Sequence, residues 1–183
     1  GFAEGLCIGE WSRKYVRQSQ WHCKQSDGKE SLSRYGIKLW KDVCYEKDYQ
    51  QWYLHDYQYP DLHEKQVYGL SEVNREQIKK ATIIGNPGCY PTSITLGLYP
   101  LLKHHMQKDE KIIIDSKSGT TGAGKSLTED THFPKCNESF HPYKIASHRH
   151  TPEIEQELSK MAHQNIEVVF TPHLLPVNRG IIS

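Results

Sequence analysis

Asn86-Pro87-Gly88-Cys89-Tyr90-Pro91-Thr92 sets a cysteine in a tight turn just ahead of a stretch with helical periodicity. Pro87 and Gly88 mark the turn. Pro91 suits the first turn of a helix, where a missing N–H has no partner to lose. Ile94, Leu98, Leu101 and Leu102 follow at i, i+4, i+7 and i+8, the spacing of one apolar helical face. The spacing predicts a helix from Pro91 to about His104, kinked at Pro100, which removes one backbone bond. Cys89 then lies at or just before the helix N-terminus. Unpaired amides and the positive dipole end favour a thiolate there. A thiolate is the nucleophilic form of cysteine, so covalent chemistry belongs at this turn. The plainer reading of any cysteine is a small buried hydrophobe, and a nucleophile also needs a base.

Upstream, residues 81–85 (ATIIG) read as a short buried strand feeding the turn. Before them, Val67-Tyr68-Gly69-Leu70 leads into one or two helical turns over 74–80. Residues 45–66 are aromatic and charged, with Tyr45, Tyr49, Trp52, Tyr53, Tyr57 and Tyr59, and a short helix is predicted over 47–54. Residues 1–44 hold Trp11, Trp21 and Trp40 but no strand running into a glycine loop, and no core face can be drawn for them. Downstream, 111–115 (KIIID) reads as a strand entering a glycine-rich loop over 116–126. Residues 127–142 are polar and read as loop, and 143–146 as a short strand. Thr151 suits an N-cap with Pro152 at the first helical position. A helix over 153–164 follows, with Ile154, Leu158 and Met161 on one face. Residues 166–171 (IEVVFT) form another strand, 173–176 a turn, and 177–183 the start of a last strand.

Composition narrows the function classes. The 183 residues include 23 basic and 22 acidic side chains, so no basic stripe of the kind a nucleic-acid binder needs is present. No apolar run approaches the ~20 residues of a membrane span. No secretory signal is visible, and the first residue is not Met, which fits a fragment or a processed chain. Cys7, Cys23, Cys44, Cys89 and Cys136 are odd in number and widely spaced, without a C-x-x-C pair. That pattern points to a reducing compartment, neither a disulfide framework nor a zinc knuckle. Eleven histidines lack the H-x-x-x-H spacing of a helical metal site, so no metal is expected.

Three further motifs carry chemistry. Gly119-x4-Gly124-Lys125-Ser126 fits the phosphate-binding P-loop pattern after a strand. A P-loop enzyme also needs a later strand ending in Asp for its metal, and 166–171 has none. His148-Arg149-His150-Thr151-Pro152-Glu153 puts histidines directly before a helix, where an imidazole is held rigidly for acid–base work. These histidines read equally as exposed loop residues. Glu153 either orients His150 or simply favours the helix N-terminus. Arg179, in the run FTPHLLPVNRG, suits an anionic substrate group or is an ordinary surface arginine.

NPGCYPT, SGTTGAGK, HRHTPEIEQEL and FTPHLLPVNRG, with VYGLSEVNREQIKKA before them, occur in an order and spacing that resemble the N-acetyl-gamma-glutamyl-phosphate reductase family of arginine biosynthesis. The resemblance covers about Tyr45 to Ser183. It implies an α+β (α/β) fold, the catalytic domain of the glyceraldehyde-phosphate-dehydrogenase type: a mixed sheet with helices on one face, the Rossmann nucleotide domain largely missing. The implied domains are 1–44 unassigned, 45–88 a remnant of the nucleotide-binding region, and 89–183 a catalytic and dimerisation domain truncated at its C-terminus. By the same resemblance Cys89 is the nucleophile and His150 the general acid/base, with Glu153 and His148 beside it. Ser118, Gly119 and Gly122 belong to the loop on the nicotinamide end of NADP, and His148 and Arg179 are substrate contacts. The implied reaction is NADP-dependent reduction of N-acetyl-gamma-glutamyl phosphate to N-acetyl-glutamate 5-semialdehyde through a cysteine thioester. The implied setting is a cytoplasmic dimer or tetramer with neither nucleic-acid nor membrane partners. Two alternatives stand beside it: a P-loop nucleotide hydrolase using Gly119 to Ser126, and a catalytically inactive fragment of the reductase.

Overall fold

A computed structural model describes residues 50–52, 64–108, 110–124 and 127–183. The expectations for 1–44, for most of the aromatic segment, and for Lys125 and Ser126 lie outside the described residues. Gln50, Gln51 and Trp52 are helical, inside the helix predicted over 47–54. The described residues divide into two compact units, one holding 64–86 and the other 50–52 with 87–183.

In the first unit, strand β1 (Gln66–Tyr68), helix α1 (Ser71–Lys80) and strand β2 (Ile83–Gly85) form one β–α–β turn. The strands pair in parallel from Gln66↔Ile83 to Tyr68↔Gly85. Strand β2 matches the ATIIG reading, whereas β1 went unpredicted because three residues are too few to show a period. Helix α1 starts earlier than the pattern suggested. Asn74 leaves helical geometry at φ −110°, and its side-chain amide donates to the Tyr68 carbonyl at 3.0 Å. The periodic signal therefore began only after this kink.

The second unit is a four-stranded mixed sheet in the order β4-β5-β3-β6, consistent with the expected α+β architecture. Its central strands are β3 (Lys111–Ser118) and β5 (Glu167–Leu174), parallel over their full length. Strand β4 (His141–Pro142) pairs antiparallel with β5, and β6 (Ile181–Ile182) antiparallel with β3. Helix α2 (Cys89–Lys103) and helix α4 (Thr151–Ala162) supply the residues that cover one sheet face. Tyr90, Ile94 and Leu102 of α2 and Ile154, Leu158 and Ala162 of α4 form one core with Ile114, Ile166 and Phe170. Ile154 and Leu158 have no exposed surface. A short helix α3 (Phe133–Cys136) and two 3₁₀ turns fill part of the stretch read as loop.

Several boundaries differ from the pattern reading. Strand β3 continues through Ser116 and Ser118, which face the helices and are buried. Strand β5 continues through Pro172 to Leu174, so His173 belongs to the strand and not to a turn. Pro172 lies where β4 ends: its carbonyl accepts the Tyr143 N–H at 3.0 Å, and having no N–H it returns no ladder bond there. Residues 143–146 are a turn, not a strand: Lys144 and Ala146 take left-handed φ values of 47° and 53°, which extended pairing excludes. In the last segment only Ile181–Ile182 pairs as strand. Leu101, placed on the apolar face by spacing, is 43% exposed, and Pro91 and Thr95 are buried in its stead. Pro100 lies in the last turn of α2, which runs through it to Lys103.

Candidate active site

The site gathers where the N-termini of α2 and α4 meet. Gly88 is the residue flanking α2, and Cys89 is its first helical residue, exposed to solvent. The Gly88 carbonyl accepts the Thr92 N–H at 3.0 Å and the Thr92 hydroxyl at 2.8 Å, closing the first turn. No acidic side chain occupies that turn, so α2 itself brings no negative charge to the dipole end.

Helix α4 begins one residue earlier than a Thr151 cap requires. His150 flanks the helix with α-type geometry, Thr151 is its first residue and Pro152 its second. The His150 carbonyl already accepts the Ile154 N–H at 3.0 Å, so His150 is fixed to the end of a rigid element. Its ring lies directly over Gly88: a Cβ built on Gly88 would stand 2.6 Å from His150 Nε2 and 2.9 Å from Cε1. Only glycine allows the imidazole this close to the residue before Cys89. Nε2 therefore faces the cysteine turn, while Nδ1 is buried without a hydrogen-bond partner. Burial, with the Arg149 and Lys144 charges adding to it, lowers His150 to about 4.

Glu153 lies one turn along α4 from His150 and is buried. Its Oε1 accepts the Gly88 N–H at 2.9 Å, a bond between the two helix starts. His148 is also buried, and its Nδ1 accepts the His150 N–H at 3.1 Å. Its ring packs edge-on against Tyr90, Tyr143 and Phe170 at 5.2–5.7 Å and lies 4.9 Å from the His150 ring. Burial, then His150, Lys144 and Arg149, lower His148 to about 3. His148 thus packs against His150 among aromatic rings.

Two sets of hydroxyls went unread in the sequence, the first of them against His148. Tyr90 and Tyr143 share a hydrogen bond at 2.9 Å, and burial raises both phenols. Ser183 bridges Ser93, in the first turns of α2, to Ser116 of β3 at 2.7 and 2.9 Å. The period-two alternation of Ile112, Ile114, Ser116 and Ser118 was the available signal for the buried serines.

The glycine loop is used internally. Gly119, Thr120 and Thr121 N–H groups donate to the carbonyls of Gly180, Val177 and Asn178 at 2.9–3.0 Å. The Gly122 and Gly124 amides close a 3₁₀ turn onto Gly119 and Thr121. A P-loop needs these amides free to cradle phosphate, so the nucleotide-hydrolase alternative is not favoured. Gly119 is required for another reason: a Cβ there would meet the Arg179 amide nitrogen at 2.7 Å. The loop carrying Ser118, Gly119 and Gly122 and the exposed Arg179 are thereby packed together. Among the described residues no group of three potential metal ligands occurs, and no helix is long and apolar enough to cross a membrane.

The profile of the semialdehyde dehydrogenase dimerisation domain matches residues 89–183. N-acetyl-gamma-glutamyl-phosphate reductase of Clostridium beijerinckii is 60% identical over 138 residues, 75% of this chain and 40% of that protein. Its counterparts in Brachyspira hyodysenteriae and Moorella thermoacetica are 54% and 53% identical, over 75% of this chain and 41% and 40% of theirs. The chain therefore spans about 40% of the length of these relatives. The solved aspartate semialdehyde dehydrogenase II of Vibrio cholerae superposes with a TM-score of 0.49 at 18% identity, over 64% of this chain and 42% of that one.

Proposed function

The chain belongs to the semialdehyde dehydrogenase dimerisation-domain family, and we propose that it carries the acyl-transfer half of an N-acetyl-gamma-glutamyl-phosphate reductase site. One observation carries the reading: the His150 ring is seated on Gly88, beside a solvent-exposed Cys89 at a helix N-terminus. The Cys89 thiolate attacks the acyl carbon of N-acetyl-gamma-glutamyl phosphate. A C–S bond forms, the C–O bond to phosphate breaks, and inorganic phosphate leaves a thioester on Cys89. His150, lowered to about 4, is neutral near pH 7. It therefore acts first as a base, taking the thiol proton at Nε2. His148 holds the His150 backbone, and Arg179 is the candidate partner for the substrate carboxylate.

In this reading a nicotinamide cofactor, NADP, supplies the hydride that makes the family's enzymes oxidoreductases. The described residues do not make a pyrophosphate cradle. The amides of Gly119 to Thr121 are bonded to 177–180, and the space a Cβ would fill at Gly69 is taken by Ile84 and Asn86. The reaction belongs in the cytoplasm, where a reducing environment keeps the Cys89 thiol available.

A second copy of the chain is the proposed partner. The sheet face away from α2 and α4 exposes Ile113, Val169 and Ile182. Its charges are matched within the face: Lys111 with Glu167, and Asp115 with Lys117. A charge-balanced apolar face suits an identical partner better than a charged one.

The test is phosphate-dependent reduction of NADP with N-acetyl-glutamate 5-semialdehyde, run beside Cys89→Ser. Turnover that is lost in the mutant supports the reductase. No turnover, with Cys89 still alkylated faster than Cys136, supports the inactive-fragment reading of this chain. Equal reactivity of the two thiols would sink the assignment of Cys89.

A further inference from the structure

Glu153 is a buried carboxylate in the candidate site, and its bonding to Gly88 sets its role. Three contacts fix Gly88. Its carbonyl is held by Thr92 within α2, its α-carbon lies under the His150 ring, and its N–H is held by Glu153 Oε1. Two of the three come from the N-terminal end of α4, from its flanking residue His150 and from Glu153 three residues on. The first turn of α4 grips one residue of the α2 turn, and the next residue along is Cys89. The separation of nucleophile and base is therefore set through Gly88.

We propose that Glu153 is a positioning residue that acts through the Gly88 amide: it clasps the cysteine turn against the helix that carries His150, and it acts as a hydrogen-bond acceptor and not as an acid, a base or a needed charge. This rests on the reading of Cys89 and His150 as nucleophile and base. The physical argument for an acceptor role is one of sign. An ionised carboxylate beside the N-terminus of α2 would be a negative charge near a thiolate. It opposes the ionisation that the dipole favours. Its charge is thus no aid to Cys89, whereas its oxygen is what the Gly88 N–H requires. A shorter side chain falls short of that N–H, and a neutral amide of the same length reaches it.

The experiment is the rate of Cys89 alkylation by iodoacetamide as a function of pH, in the full chain and in Glu153→Gln, Glu153→Asp and Glu153→Ala. Retained far-UV circular dichroism and thermal midpoint identify the variants that are folded. The expected order is wild type and Glu153→Gln together, within about threefold. Glu153→Asp and Glu153→Ala are expected slower by roughly tenfold near neutral pH, the size of a one-unit rise in thiol pKa. The Glu153→Gln profile is expected to lie at the same pH as the wild type or slightly lower, since a like charge has been removed. A Glu153→Gln variant as slow as Glu153→Ala, with Glu153→Asp partly active, would overturn the proposal in favour of a charge or proton-transfer role. All three variants matching the wild type would overturn it as well. His150→Ala separates this from the underlying reading. If that change leaves wild-type alkylation untouched, the Cys89–His150 pairing itself fails, whatever Glu153 does.

Discussion

The two faces of the four-stranded sheet are built from the same strands and differ completely in surroundings. On one, Ile114, Ser116 and Ser118 of β3 and Phe170, Pro172 and Leu174 of β5 lie buried on the side of α2 and α4. On the other, Ile113 is 82% exposed, Val169 48% and Ile182 71%, among Lys111, Asp115, Lys117 and Glu167. The difference shows that apolar content alone does not report burial. Ile113 and Ile114 are adjacent and chemically identical, and the pleat sends them to opposite fates. The helix-covered face holds the fold and the site together, and the open face is free to make contacts outside the chain.

Leu158→Ala is the strongest test of the covered face. Leu158 is fully buried in the core, so the cavity should destabilise the chain by roughly 2–5 kcal/mol. Chemical denaturation would measure it; a loss below 1 kcal/mol would mean that α4 is not the cover this packing requires. Gly88→Ala should come next. Its methyl would stand 2.6 Å from His150 Nε2, and relieving that overlap costs about 1–3 kcal/mol. It should also slow Cys89 alkylation, so unchanged alkylation and unchanged stability together would contradict the seating of His150.

Acid should also act through the covered face. His148 and His150 are lowered from 6.5 to about 3 and about 4, so the folded chain refuses protons that the unfolded chain accepts. Their contribution to stability is present above pH 6.5 and is lost as the pH falls toward 4 and then 3. Thermal midpoints recorded over that range should fall, and the slope should be shallower in His148→Phe. A midpoint that rises on acidification would show that the histidines gain protons on folding.

The smallest change in the chain's own stability is expected on the open face. Ile113→Asp should move it by about 0.5 kcal/mol or less, because the side chain is already in water. Its effect belongs to association: sedimentation should show weakened self-association against the wild type. An equal oligomeric state in both would remove this face from the interface.

Much of this was legible in the sequence, and the parts that were not share a cause. Helices α2 and α4 and the cores of β3 and β5 announced themselves because burial on one side leaves a period of 3.6 or a run of aliphatics. The turn around Cys89 was readable from its prolines and glycine. The ends of β3 were not, since Ser116 and Ser118 are buried through hydroxyl bonding and look like loop residues. Strand β5 was cut short at Pro172, because a proline inside a strand reads as its end. The seating of His150 on Gly88 and the Glu153–Gly88 bond join residues more than sixty positions apart, and local pattern holds no trace of them.

The docking of the glycine loop has a consequence for amide exchange. Gly119, Thr120 and Thr121 donate three backbone bonds to 177–180, and the two threonine hydroxyls add bonds to Val177 and Asn178. Neither segment can open without freeing the other. Deuterium should therefore enter the amides of 119–121 only in openings that also detach the backbone around Arg179, as one cooperative event. Whatever ligand steadies that arginine will slow exchange in the glycine loop, although the loop need not touch it.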